Sequence, residues 1–121
     1  MQLDYLLFDF TDEESGSCSF DALASVLPAQ LPPLIHEVEA VLGWASREFG
    51  APWGDGAGDG EWDFALQAIG EQDVALEIGY DVERGRVLMP HAPAGRVTLA
   101  LTVTGSRAFG AAFRQAFPDH G

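Results

Sequence analysis

Apolar residues between positions 31 and 49 recur at spacings of three and four, which is the period of an amphipathic helix. This pattern predicts a helix of about five turns with one apolar side facing a core. Pro32 and Pro33 fit its first turn, where backbone amides have no helical partner. Gly50 favours the left-handed conformation that ends many helices. The sequence therefore predicts one long helix in the first half of the chain.

A second, shorter helix is predicted in the last part of the sequence. Phe109, Phe113 and Phe117 are four residues apart, so a helix would place all three on one side. Ser106 is suited to cap the first turn of this helix, and Pro118 is expected to end it.

Six further segments have the composition and patterning of β-strands. Most of them alternate apolar and polar residues, which is typical of a strand with one buried face. The first segment is apolar on both sides and predicts a strand that is buried on both faces. Turn-forming residues separate the segments. The predicted strands cover residues 3–10, 20–27, 62–68, 74–80, 87–89 and 97–104.

The order of these elements, β-β-α-β-β-β-β-α, predicts the fold class. Strands joined by short connections are expected to pair as an antiparallel meander. Two helices with one apolar side each can cover only one face of a sheet. We therefore expect a single α+β domain over residues 1–121. Its antiparallel sheet should have about five to six strands, with both helices packed on one face.

The composition is that of a globular domain. The chain has 121 residues, of which 47% are hydrophobic and 11% aromatic, enough to form one core. No run of about 18 uncharged apolar residues is present, so we predict no membrane-spanning helix. Cys18 is the only cysteine, which excludes an intrachain disulfide. Because the first residues lack the pattern of a secretion signal, we expect a cytoplasmic protein.

Charge is distributed unevenly along the chain. The formal net charge of −13 argues against binding to the phosphates of nucleic acid. Residues 1–83 hold 18 of the 19 acidic residues and one arginine, whereas residues 84–121 hold five arginines and one acid. The arginines could pair with acids on neighbouring strands, where exposed ion pairs contribute about 0–1 kcal/mol each. Alternatively, the acids could form a negative face that attracts a basic partner.

The candidate binding residues lie in and next to a glycine-rich acidic segment. The glycine content of residues 50–60 predicts a loop, because ordering so many glycines is entropically unfavourable. Trp53 is a large aromatic residue in this loop, and it either folds back onto the sheet or anchors an interface. The predicted protein-binding residues are Trp53, Asp55, Asp59, Glu61 and Asp63.

Metal-binding and catalytic motifs are not indicated. Asp55, Asp59 and Asp63 are spaced like some ligands of an EF-hand, but Leu66 stands where the bidentate carboxylate is needed. A strand is also predicted where an EF-hand requires a helix. Neither metal-ligand spacing nor a nucleophile–base motif joins Cys18, His36, His91 and His120. We therefore predict no cofactor, no metal site and no catalytic residue.

The sequence favours a non-catalytic acidic module that binds a basic protein partner. Secretion chaperones and immunity proteins that neutralise basic toxins share this size, acidity and α+β pattern, which is an analogy of class alone. Two alternatives stay open. The domain could self-associate, for example as a homodimer. It could also be a small enzyme or ligand-binding domain, with a pocket between helix and sheet that uses Asp, Glu or His91.

Overall fold

A computed structural model of the chain describes residues 3–12, 16–50, 52, 61–91 and 93–117. The predicted α+β class and the order of the elements are confirmed. The helices are α1 (Leu31–Phe49) and α2 (Arg107–Ala116). The strands are β1 (Phe8–Asp12), β2 (Cys18–Val26), β3 (Trp62–Ile69), β4 (Ala75–Leu76), β5 (Gly79–Asp81), β6 (Arg86–Leu88) and β7 (Val97–Gly105).

The main sheet has the strand order β1-β2-β7-β3-β4, and each neighbouring pair is antiparallel. β7 is the central strand and pairs with β2 on one side and β3 on the other. This insertion departs from the predicted meander, in which the strands would follow chain order. The residues of β7 from Val97 to Thr104 are uncharged, and its valines and threonines favour strands, so the strand can be paired and covered along its length. β5 and β6 form a separate hairpin.

Both helices pack on one face of the main sheet, as expected from their single apolar sides. The inward residues of β7 are completely buried there. α1 contributes the fully buried Leu34, Val38, Val41, Leu42 and Ala45, and α2 contributes Phe109 and Phe113. The core therefore lies between the helices and this covered face of the sheet.

Aromatic rings fix the position of the helices at one end of the sheet. Trp44 of α1 lies with its ring centroid 5.8 Å from the centroids of both Phe109 and Phe113 of α2. Trp62 of β3 stacks on Phe109 with an interplanar angle of 2°. Its indole N–H donates a hydrogen bond of 2.9 Å to the carbonyl oxygen of Gly50, where α1 ends. α1, α2 and the start of β3 are thus held together.

The first predicted strand is shorter than expected, and it is not buried on both faces. β1 begins only at Phe8, and Leu7 directly before it is 74% exposed. The backbone N–H groups of Asp4, Tyr5 and Leu6 donate instead to the carboxylate of Glu37 on α1, at 2.7 to 3.2 Å. Because these amides bind a side chain, this segment does not join the sheet.

The segment predicted as one strand over residues 74–80 is divided between two sheets. β4 pairs with the end of β3, whereas β5 turns away and pairs with β6. Alternating apolar residues continue through both strands, so the sequence pattern does not reveal the change of partner. The consequence is a hairpin that packs against α1 instead of extending the main sheet.

Candidate functional site

The candidate site is the face of the main sheet that points away from the helices, called here the open face. Strand alternation places every second residue on this side, and those of the flanking strands are largely exposed. The open face carries alternate residues of β2 from Ser19 to Ser25, of β3 from Asp63 to Ile69 and of β7 from Thr98 to Thr104, together with Asp9 and Thr11 of β1.

Two carboxylates oppose each other on the open face. Asp9 of β1 and Asp21 of β2 are direct partners in the antiparallel register, so their side chains project from the same side of adjacent strands. Both residues are exposed. The hydroxyl of Thr102 on β7 donates a hydrogen bond of 2.6 Å to Asp21 Oδ1. Like charges in directly opposed positions destabilise a sheet, so this pair opposes folding of the isolated chain.

Asp63 extends the acidic group across the face. It lies on β3 in the row formed by Thr11, Ser19 and Thr104, next to the row of Asp21. Strand spacing and rise place its Cα about 12 Å from that of Asp21. Asp9, Asp21 and Asp63 together are called the acidic group. They lie towards the end of the sheet where β2 and β3 begin.

Glu61, the residue before β3, is tied to the start of α2. Its carboxylate accepts a hydrogen bond from the hydroxyl of Ser106, and its carbonyl oxygen accepts one from the Ser106 amide. The Ser106 side chain in turn caps α2 by accepting a hydrogen bond from the amide of Phe109, as its position in the sequence predicts. Glu61 therefore positions a helix end and adds negative charge at the same end of the sheet.

The arginines of the described structure do not pair with these two opposed carboxylates. All six lie in the described part of the chain, and within it no arginine forms an ion pair with Asp9 or Asp21. Arg84 Nε lies 3.7 Å from Asp81 Oδ2 at the β5–β6 turn. Arg114 lies over the ring of Phe10, 4.7 Å from its centroid, on the covered side of β1.

Arg96 is the arginine that shares the side of the open face. Its guanidinium donates hydrogen bonds to Ser25 at 3.4 and 3.5 Å. It is six residues from Thr102 along the chain, so about 20 Å separates it from the row of Asp21. Pairing of arginines with acids on neighbouring strands, one of the two expectations from the charge distribution, therefore does not neutralise Asp9 and Asp21.

The predicted site residues are only partly covered by the structure. Trp53, Asp55 and Asp59 lie outside the described residues. Glu61 and Asp63 lie at the acidic end of the sheet, as described above. Asp9 and Asp21 were not among the predicted site residues. Both are polar positions at equal distances from the chain segment that joins β1 to β2, and the register of these two strands pairs them.

The other side chains considered for metal binding or catalysis are the cysteine and the three histidines. Cys18 is buried beneath α2, where a Cβ on Gly110 would lie 2.5 Å from its sulfur atom. His36 and His91 are exposed, and His120 lies outside the described residues. In the parts of the chain that the structure describes, no group of three or more acidic, histidine or cysteine side chains is arranged to hold a metal ion.

A groove lies between the first half of α1 and the chain after β6. Its volume is about 530 Å³, within the range of small-molecule sites. Glu39 lines it and accepts a hydrogen bond of 2.9 Å from the amide of Val87. The predicted pocket residue His91 is not among the lining residues, which are Pro28, Leu31, Pro32, Ile35, His36, Glu39, Arg86, Met89, Pro90 and Pro93.

Tyr80 on β5 is a polar residue with an unusual environment. Its ring meets Phe64 edge-on at 5.7 Å, and its hydroxyl oxygen is buried without a hydrogen-bond partner among the described residues. Burial raises the pKa of the Tyr80 phenol above its ordinary value, and the negative charge of Glu39 raises it further. The phenol is therefore held neutral between α1 and the hairpin.

Comparison of the chain with family models, with curated proteins and with solved structures finds no match. Neither helix in the described ranges combines the length and apolarity needed to cross a bilayer.

Proposed function

We propose that this protein is a non-catalytic module that binds a basic protein partner through the acidic group on its open face. The proposed role is that of an inhibitor-, immunity- or chaperone-like protein, by analogy of class alone. The observation that carries the proposal is the opposed pair of Asp9 and Asp21, exposed and without an arginine partner in the described structure. Lysine or arginine side chains of a partner would remove the repulsion between these carboxylates when they bind.

The wider charge distribution supports the same function. A protein with a net charge of −13 attracts basic molecules over distances near the Debye length, which raises the rate of encounter. The acidic group then gives this attraction a defined place on the surface. Its support is rigid, because β2 pairs with strands on both sides.

The proposal can be tested with oligolysine as a probe and with two variants of equal charge. The site variant is Asp9→Asn/Asp21→Asn/Asp63→Asn, and the control is Glu48→Gln/Asp73→Asn/Glu83→Gln, whose residues are exposed and lie outside the strands of the main sheet. We expect the site variant to bind oligolysine about tenfold more weakly than the control variant. Affinity should be measured by titration calorimetry at several salt concentrations, and the contact surface by NMR shift mapping.

Three results would contradict the proposal. The first is equal weakening in the two variants, which would mean that the probe responds to net charge alone. The second is a set of amide shifts centred away from β1, β2 and β3. A gain of affinity at high salt would also be inconsistent, because screening weakens contacts between exposed opposite charges.

A second candidate function, binding of a small molecule, is favoured by the groove beside α1. Its lining is mainly proline and aliphatic, with a few polar groups, as in many ligand sites. Screening a fragment library by NMR would test it. Specific shifts for Ile35 and Met89 that disappear in Ile35→Asp would support this function, and shifts spread over the surface would argue against it.

A further inference from the structure

The open face has an apolar half as well as an acidic one. Leu23 follows Asp21 on the same side of β2 and is 69% exposed. Leu7 is one residue before β1, and continuing the register by that residue brings it opposite Leu23. On the other side of β7, Ile69 is 39% exposed. The outward side of an antiparallel sheet normally carries polar residues, so two opposed and largely exposed leucines form an unusual apolar area on this face.

We infer that the open face binds a segment of a basic partner that carries apolar side chains next to its lysines or arginines. This inference rests on the proposed function and adds the chemistry of the segment. Asp21 and Leu23 are two residues apart on one strand, so their Cα atoms are separated by about 7 Å. A partner segment that places a basic and an apolar side chain at this spacing can contact both halves at once.

The surface between the two halves is suited to close contact. Ala100 lies beside Leu23 on the central strand, and Thr102 lies beside Asp21. Because these side chains are short, a partner segment can approach the sheet, and burying the leucines then contributes hydrophobic free energy. Charge attraction alone is lost at high salt, whereas the apolar contact persists there.

Charge distinguishes a basic partner from a second copy of this chain. Two copies would each have a net charge of −13 and would repel each other. A symmetric contact through this face would also bring Asp9 and Asp21 of both copies into one interface. Like charges that lose water in an interface are strongly unfavourable. A basic segment has the opposite charge to the acidic half of the face, and the apolar side chains that it carries can contact the leucines of the other half.

The test uses two synthetic peptides of about 14 residues with identical lysines, one carrying leucine and the other alanine at the remaining positions. Alanine and leucine have similar helix propensity, so the peptides differ mainly in apolar surface. We expect the wild-type protein to bind the lysine–leucine peptide about tenfold more tightly than the lysine–alanine peptide.

The variants separate the two halves of the face. In Leu7→Thr/Leu23→Thr the preference for the leucine peptide should disappear, while binding of the alanine peptide is unchanged. Leu88→Thr is the matched control, because Leu88 is a 52% exposed strand residue on β6, off the open face. It should keep the preference. The variant that replaces Asp9, Asp21 and Asp63 by asparagine should bind both peptides more weakly by the same factor.

Several outcomes would overturn the inference. If the wild-type protein binds the two peptides equally, the apolar half is not used, although the proposed function survives as long as the asparagine variant still weakens both. Preference for leucine that persists in Leu7→Thr/Leu23→Thr would place the apolar contact elsewhere. If light scattering shows a dimer that Leu23→Thr converts to a monomer, the apolar half is covered by a second copy instead.

Discussion

On β2, Phe20, Ala22 and Ala24 are buried, while Asp21 and Leu23 between them are exposed. The two faces of the main sheet thus share their strands, their register and their hydrogen bonds. They differ because two helices pack on one face, whereas the other face carries short polar side chains, carboxylates and exposed leucines that no helix covers. The covered face therefore holds the buried apolar core, whereas the open face leaves charged and apolar side chains exposed to solvent.

The largest difference between the faces should appear in the free energy of unfolding. Leu101 on β7 is completely buried, so Leu101→Ala should reduce stability by about 3 kcal/mol through lost burial and a cavity. Leu23→Thr on the neighbouring strand should change it by less than about 0.5 kcal/mol. Urea denaturation measures both values. Similar losses would show that Leu23 is packed as tightly as Leu101, contrary to the structure.

The position of the segment before β1, at the edge of the main sheet, depends on Glu37. Glu37→Ala leaves the amides of Asp4, Tyr5 and Leu6 without their acceptor, and we expect a loss of about 2 kcal/mol. Glu48→Ala, an exposed glutamate on the same helix, is the control and should have little effect. Hydrogen exchange should become faster at the three amides in the first variant alone. Unchanged exchange would mean that the Glu37 carboxylate does not hold this segment.

A buried polar group outside the main sheet gives a pH-dependent effect. Tyr80→Phe removes a hydroxyl that has no partner in the described structure, so stability at neutral pH should be equal or higher by up to about 1 kcal/mol. Folding raises the pKa of Tyr80 above its ordinary value of 10.0. The unfolded chain therefore loses the Tyr80 proton at a lower pH than the folded chain does. The stability linked to the neutral phenol is fully present below pH 10 and is lost as the pH rises through the folded-state pKa. The wild type should lose stability above pH 10 more steeply than Tyr80→Phe. Parallel denaturation curves across that pH range would contradict this expectation.

The smallest expected effect has the opposite sign from those on the covered face. Asp9→Asn removes one of two opposed carboxylates and should increase stability by about 0.3 kcal/mol at low salt. The gain should fade as salt screens the repulsion. The same variant should bind oligolysine more weakly, so stability and binding change in opposite directions. Glu48→Gln serves as the control, and a loss of stability in Asp9→Asn would show that the pair is not repulsive.

Local patterns predict most of the elements. The bounds of α1 agree with the predicted residues 31–49, and Ser106 caps α2 as expected. Periodicity is sufficient for this purpose because one apolar side must face the core wherever the helix lies. The first strand is different. Leu7 belongs to an apolar run, but the Glu37 carboxylate, more than thirty residues away in sequence, holds the residues just before it out of the sheet.

The candidate site could be predicted only in part. An acidic region around Glu61 and Asp63 follows from composition, since the net charge and its uneven distribution are properties of the sequence. The opposition of Asp9 and Asp21 follows from the hairpin register, which depends on the length and geometry of a turn. Composition contains no information about which residues lie opposite each other.

The α+β class, the long helix, the alternation of the strands and the excess of negative charge can all be predicted from the amino-acid sequence. Each of these properties depends on local side-chain periodicity or on residue counts. The position of β7 between β2 and β3, the exposure of Leu7 and Leu23 and the opposition of two carboxylates on the open face are seen only in the folded domain. This is because strand pairing joins residues far apart in the chain, and the choice of partners depends on the packing of the whole domain.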